Sequence, residues 1–178
     1  MIGTRGRMSK EVTLFEKLET LRNEQRRRTE TGMVVARAKA LAWENTPHGK
    51  LRWYMHPAIA ENVLQSHVIY MQEIAPGGRS GVQRHPGGML IYFLHGRGRT
   101  ILDGEEIVWK AEDLLMLPLR PEGVVFQHIN DSPDEPVSLL ACEPNLIHAL
   151  GVDRGSHWEQ VEAAPESRQP SHRREEKV

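Results

Sequence analysis

Residues 83–98 read QRHPGGMLIYFLHGRG, and this stretch, with 77–82 before it and 99–130 after it, decides the fold. Four apolar runs lie in the window, at 89–94, 107–109, 114–117 and 124–126, and Gly, Pro or Asp-Gly pairs separate them. Short apolar runs bounded by turn residues predict strands joined by tight turns. Asp103-Gly104 is the clearest turn, because both residues tolerate the positive φ that a two-residue type I′ hairpin requires.

Outward from this window, residues 51–55, 68–74 and 137–142 also read as strands. In the second of these, His67, Ile69, Met71 and Glu73 share one face and Val68, Tyr70, Gln72 and Ile74 the other, and either face could be the inner one. The N-terminal region reads differently. Ser9 can cap a helix with Glu11 in its first turn. Val12, Leu14, Phe15, Leu18 and Leu21 then recur at helical spacing, which predicts a helix near 10–30, with Gly32 as its stop. Its apolar stripe needs a cover, either the outer face of the strands or another subunit, and we expect a homodimer. Residues 36–48 are ambiguous between helix and loop, and His48 and His56, beside Pro47 and Pro57, read as loop residues. Residues 144–164 are expected to pack back through Leu146, Ile147, Leu150, Trp158 and Val161. From 165 onward the chain is polar, and a disordered tail is expected over 165–178. The domain reading is therefore a helical extension over 1–35, a β-domain over 36–164 and the tail.

The 178 residues carry 39% hydrophobic and 26% charged side chains, an ordinary soluble balance. A net charge of −1 offers no global pull toward nucleic acid or an acidic membrane, and neither partner is expected. The longest apolar run is far short of a membrane span. No apolar signal-peptide core is visible. One cysteine, Cys142, excludes an internal disulfide and fits a reducing cytoplasm. It lies in an apolar run, so a buried structural thiol is expected there. No phosphate loop, nucleophile elbow, CxxC pair or dinucleotide fingerprint is present.

The central stretch resembles the cupins, small jelly-roll β-barrels. Their first motif runs Gly, five residues, His-x-His, three or four residues, Glu, six residues, Gly. Laid on this chain, Gly77 and Gly96 are its ends, the His-x-His falls on Gln83-Arg84-His85, and the Glu falls on Met89. With His85 taken as the first His instead, Gly87 and Ile91 fall at the next two ligand positions. In the second motif Pro118 and Asn130 fit the ends and the His falls on Phe126, with His128 two residues on. Within the superfamily the chain looks most like the gentisate-dioxygenase type, whose three His ligands dispense with the Glu. The resemblance implies an all-β, double-stranded β-helix (jelly-roll) barrel with an N-terminal α-helix. It also implies that the face bearing Gln83 and His85 is the barrel interior. Only one expected ligand, His85, is present.

Residues two apart in a strand point the same way, so Gln83 and His85 share a face, as do Phe126, His128 and Asn130. His85 and His128 are thus expected to converge inside the barrel as catalytic or metal-binding imidazoles, with Gln83 as an oxygen ligand or hydrogen-bond partner. Any metal would be Fe(2+) or another divalent ion. Met89 and Phe126 at ligand positions argue equally for a metal-free cavity. Met89, Ile91, Phe93, Phe126 and Gln83 are the expected substrate-binding wall. His67 could add a third imidazole. Two functions stay open. One is a metal-dependent, dioxygenase-like enzyme acting on a small aromatic or organic acid. The other is a non-catalytic small-molecule-binding cupin, a sensor or accessory protein without metal.

Overall fold

The computed structural model describes residues 12–145 and 159–165. The cap expected at Ser9, the packing expected of Leu146, Ile147, Leu150 and Trp158, and the tail from 166 lie outside the described residues. The chain divides into two compact units, one of residues 1–34 with 61–64 and one of 35–60 with 65–178.

The first unit is built on helix α1, Leu14–Thr31. Thr13 caps it. The Thr13 hydroxyl accepts from the Glu16 N–H at 3.2 Å, and the Glu16 carboxylate takes the Thr13 N–H at 2.7 Å. This reciprocal box satisfies donors that a bare helix start leaves open. The Thr13 backbone bond also holds the Glu16 carboxyl below its usual range. Gly32 ends the helix, its N–H bonded to Arg28 O at 2.8 Å. No residue of α1 is buried, and Leu14, Phe15, Leu18 and Leu21 are all exposed. In the same unit Met33 pairs with Asn62 in a parallel bridge.

The second unit is a pair of antiparallel sheets. One runs in the order β1 (Glu44–Thr46), β2 (Gly49–Met55), β3 (His67–Ile74), β10 (Val137–Pro144), β5 (Leu90–His95) and β8 (Leu114–Met116). The other runs β11 (Glu159–Glu162), β4 (Val82–His85), β9 (Val124–Asn130), β6 (Arg97–Leu102) and β7 (Glu105–Lys110). A short 3-10 turn at Ala38–Ala40 precedes them. The predicted strands are all present. β1, β6 and β11 were not expected, since ENT, RGRTIL and EQVE carry too little apolar pattern to declare themselves.

Strand alternation builds the core. In β3 every second residue is buried, and the inner face is Val68, Tyr70, Gln72 and Ile74. β9 and β10 alternate the same way, turning Val124, Phe126, His128 and Asn130, and Val137, Leu139, Ala141 and Glu143, inward. Tyr70, Phe93, Phe126, Leu51, Met89, Ile91 and Leu139 fill the centre. Each such apolar side chain contributes about 1.5–3 kcal/mol by leaving water. The outer face of the first sheet keeps Leu90, Tyr92, Leu94, Leu114 and Met116 exposed. Cys142 faces that way as well, opposite Ile69 and Leu90, so the buried thiol expected from its apolar run is half-buried instead. Burial, then the neighbouring Glu143, raise its pKa.

Loops close the barrel with backbone chemistry. Asp103 and Gly104 sit at φ 49° and 89°, the hairpin conformation read from the sequence. Asn130 ties three segments together, its amide nitrogen donating to Ile74 O, Ala75 O and Glu135 O and its side-chain oxygen accepting from Ser132 N–H. At Gly98 a Cβ would stand 2.7 Å from the Trp109 ring, so the bare glycine is what lets that indole lie against β6.

Candidate functional site

β4 alternates so that Gln83 and His85 point inward and Arg84 outward. Pro86 ends the strand, and Gly87 turns the chain at φ +96°, in a space where a Cβ would lie 2.0 Å from Pro118 O. That turn sends the Gly87 N–H back to His85 Nδ1 at 3.0 Å. Nδ1 therefore accepts, and the neutral ring carries its proton on Nε2. Nε2 faces the Glu143 carboxylate in a short hydrogen bond, with both side chains only 3% exposed. Hydrogen bonds of this type, with an ionised acceptor, are among the stronger ones in proteins.

A second group lies beside this pair. His48 lies in the turn between β1 and β2, the loop position expected beside Pro47, and it is buried there. Gly81 N–H at 3.2 Å and the Gln72 amide at 2.9 Å both donate to the His48 carbonyl and hold that turn against the barrel. The Gln83 amide nitrogen meets His48 Nδ1, and His48 Nε2 meets the Tyr70 hydroxyl at 3.0 Å. With Nδ1 accepting from Gln83, His48 Nε2–H donates to Tyr70, whose own O–H reaches Met89 Sδ at 3.9 Å. Burial, then the neighbouring His128 and His85, drive the His48 pKa well below its ordinary value. Burial, then the charge of Glu143, drive the Tyr70 hydroxyl well above its own. Gln72 Oε1 is buried without a hydrogen-bond partner, and Gln72 lines a 160 Å³ cavity with Lys50, Arg79 and Ser80.

His128 belongs to a different setting. Its Nδ1 meets the Thr100 hydroxyl at 2.7 Å, and that oxygen accepts from Trp109 Nε1 at 2.8 Å. Phe126, Phe93 and Trp109 stand around the imidazole with ring centroids at 5.3, 5.9 and 6.5 Å. Burial alone lowers its pKa to about 3.

All seven residues expected from the sequence, Gln83, His85, Met89, Ile91, Phe93, Phe126 and His128, are buried. They do not form one cluster. His85 pairs with Val124 on β9, four residues before His128, which sets the two strand positions roughly 13 Å apart along the barrel. Gln83 serves His48, not the space between His85 and His128. His67 is exposed and bonded to Ser66, so it adds no interior imidazole. Sequence reading missed His48, Tyr70, Gln72, Thr100, Trp109 and Glu143. For Glu143 a signal existed. Val137, Leu139 and Ala141 set an inward parity that Glu143 continues.

The comparisons with known proteins bear on this barrel. Residues 70–143 match the cupin domain model. The fold is that of a cupin. No curated protein matches the chain. Among solved structures, a variant of the oxalate decarboxylase of Bacillus subtilis superposes with a TM-score of 0.54 at 17% identity, covering 70% of this chain and 31% of that one. A polyketide cyclase of Streptomyces resistomycificus gives 0.52 at 15% identity, covering 63% and 79%. A variant of the salicylate 1,2-dioxygenase of Pseudoaminobacter salicylatoxidans, in complex with gentisate, gives 0.51 at 18%, covering 82% and 37%. At such identities these cupins share the fold, and their reactions differ among themselves. Among the described residues no helix is long and apolar enough to cross a membrane.

Whether the residues present suit a metal is a question of donors. At the ligand positions that the motif assigns stand Gln83, His85, Met89 and Phe126. Phe126 has no donor atom, and the Met89 thioether is a poor ligand for a hard divalent cation. His85 has one nitrogen on a backbone amide and the other on Glu143. Among the described residues no three His, Cys, Asp or Glu side chains gather as a metal-binding group. The donor set does not fit the mononuclear centre that the fold family implies.

Proposed function

We propose that this cupin binds a small, largely flat organic molecule without a metal. Met89, Ile91, Phe93 and Phe126, which fill the core at 0–1% exposure, would have to part to hold the ring, and the His85–Glu143 pair would meet the polar end. One observation carries the reading. His85 is locked between the Gly87 amide and the Glu143 carboxylate, a hydrogen-bonding posture and not that of a free metal ligand. An apolar wall with a few placed polar groups is the usual make-up of a small-molecule pocket. Thermal-shift screening of metal-stripped protein with ring compounds tests it, alongside metal analysis of untagged protein. We expect stabilisation that is indifferent to added ferrous iron. Stoichiometric bound iron, with ligand binding lost on chelation, would overturn the reading.

A second reading keeps the dioxygenase-like activity on a small aromatic acid, with the gentisate type as its model. Three buried imidazoles favour it, His48 lying close enough to His128 and His85 to feel both. It requires a metal-holding set that these side chains do not form. Oxygen consumption with a bound compound would establish it.

We also propose a homodimer in the cytoplasm. The exposed stripe Leu14, Phe15, Leu18 and Leu21 supports self-association. Light scattering should show a dimer at micromolar concentration that weakens when 1–31 are deleted. A monomeric full chain would end the proposal.

A further inference from the structure

The 160 Å³ cavity lies between the β1–β2 hairpin, the end of β3 and the segment 75–80, and neither His85 nor Glu143 lines it. Gln72 is its buried acceptor. The side chain is wholly buried, and its Nε2 donates to His48 O at 2.9 Å. Bare Gly49 makes room for that bond, since a Cβ there would stand 3.0 Å from Gln72 Nε2. With the nitrogen anchored, Oε1 is the atom left over, and it has no hydrogen-bond partner among the described residues. Buried acceptors in that state are uncommon in native proteins. The hydroxyls on the lining are engaged elsewhere. Thr46 Oγ1 donates to Gly49 O at 2.9 Å, and Ser80 Oγ donates to Gly81 O at 3.0 Å. An amide oxygen only accepts, so the missing group is a donor.

Charge is the second observation. The same lining carries two cations, Lys50 and Arg79, against one carboxylate, Glu73. Lys50 Nζ meets Glu73 at 2.5 Å, and Arg79 faces Glu162 across 3.8 Å. These four side chains are 35–51% exposed, whereas Gln72 is fully buried, so the acceptor lies deep and the charges lie at the rim. Ion pairs at such exposure are weak, and either cation can turn to a second anion without stranding a buried charge. Size is the third. At about 30 Å³ per water the space holds about five waters, or roughly five or six non-hydrogen atoms.

We propose that this cavity binds a small 2-hydroxycarboxylate. The hydroxyl donates to Gln72 Oε1 at the closed end, and the carboxylate lies against Lys50 and Arg79 at the rim, where the arginine fork suits it. Gln72 then selects for the hydroxyl and the two cations select for the charge. The site is separate from the barrel centre and independent of the ring-binding reading above.

The trial is an NMR titration of the full chain at low ionic strength, following the assigned Gln72 side-chain amide. The probes are L-lactate, propionate, propane-1,2-diol and L-alanine, in the millimolar range. We expect L-lactate to move the Gln72 amide. It should bind about tenfold more tightly than propionate, which lacks the donor, or propane-1,2-diol, which lacks the charge. Gln72→Leu should bring lactate to within about twofold of propionate. The double variant Lys50→Met/Arg79→Met should weaken both acids about fivefold and leave their ratio unchanged. Propionate or propane-1,2-diol binding as tightly as lactate would overturn the proposal, and so would L-alanine, which would make the ligand a zwitterion. A Gln72 amide unmoved by all four would remove the site. Should Gln72→Leu fail to fold, the wild-type lactate-to-propionate ratio and the double variant at the rim decide, and a lactate affinity unaltered in that variant would sink the proposal.

Discussion

His85 and His128 are both buried imidazoles on neighbouring strands of one barrel, and they do opposite things. His85 bonds through both ring nitrogens, to a backbone amide and to a carboxylate. His128 has a hydroxyl on Nδ1 and aromatic rings around it. One is a polarised donor bound to an acid. The other is a neutral core residue kept from protonation by burial. Parity along a strand decides that a side chain is inside. Register against the next strand, and the identity of what stands opposite, decide whether it has any chemistry there.

The largest test of that contrast is at Glu143. Replacing it with alanine leaves the His85 N–H buried and unmet, and breaking a buried pair of this kind costs about 3–5 kcal/mol. Urea unfolding of Glu143→Ala should show a loss of that size, and the double variant His85→Leu/Glu143→Leu should recover much of it. If the double variant is as unstable as the sum of the singles, the two residues are not coupled.

His128→Leu is expected to cost less, about 1–2 kcal/mol, because it removes a neutral ring and one hydrogen bond from an apolar setting. A loss equal to that of Glu143→Ala would erase the distinction between the two imidazoles.

Acid sharpens the comparison next. The His128 pKa falls from 6.5 unfolded to about 3 folded. Between those values the unfolded chain binds a proton that the native one refuses, so stability falls as pH drops below 6.5 and the loss is complete near pH 3. His48 adds to the same trend, since its pKa is lowered too. Chemical denaturation from pH 7 to 4.5 should show a decline on the order of a few kcal/mol. His128→Leu should flatten it, and an unchanged slope in that variant would mean that other groups are responsible.

The smallest expected effect is from chelation. Prolonged treatment with a strong chelator should leave the thermal midpoint of the untagged protein unchanged. A clear drop would mean that a metal is held after all and that the His85–Glu143 pairing opens to admit it.

Much of the architecture follows from local sequence. Apolar runs between turn residues placed most strands. Asp103-Gly104 announced its hairpin because few residue pairs tolerate two positive φ angles in succession. Apart from His85, the motif positions that this chain fills, Gly77, Gly96, Pro118 and Asn130, belong to turns and strand ends, and Asn130 is seen binding the carbonyls of Ile74, Ala75 and Glu135. Those are backbone duties, legible because only certain side chains perform them. The inner residues Gln83, His85, Met89, Ile91, Phe93, Phe126 and His128 also followed from a period of two.

The pairing of those residues did not. Glu143 lies 58 positions from His85 and His48 lies 35 from Gln83, and nothing local links the members of either pair. The two sheets bring β10 to His85 and carry the His48 turn onto the Gln83 face. The same packing keeps His128 among Phe93, Trp109 and Phe126 instead of beside His85. A strand's sequence specifies which side of it is wet. What waits on the dry side is set by contacts between segments distant in the chain, and only the tertiary structure decides those.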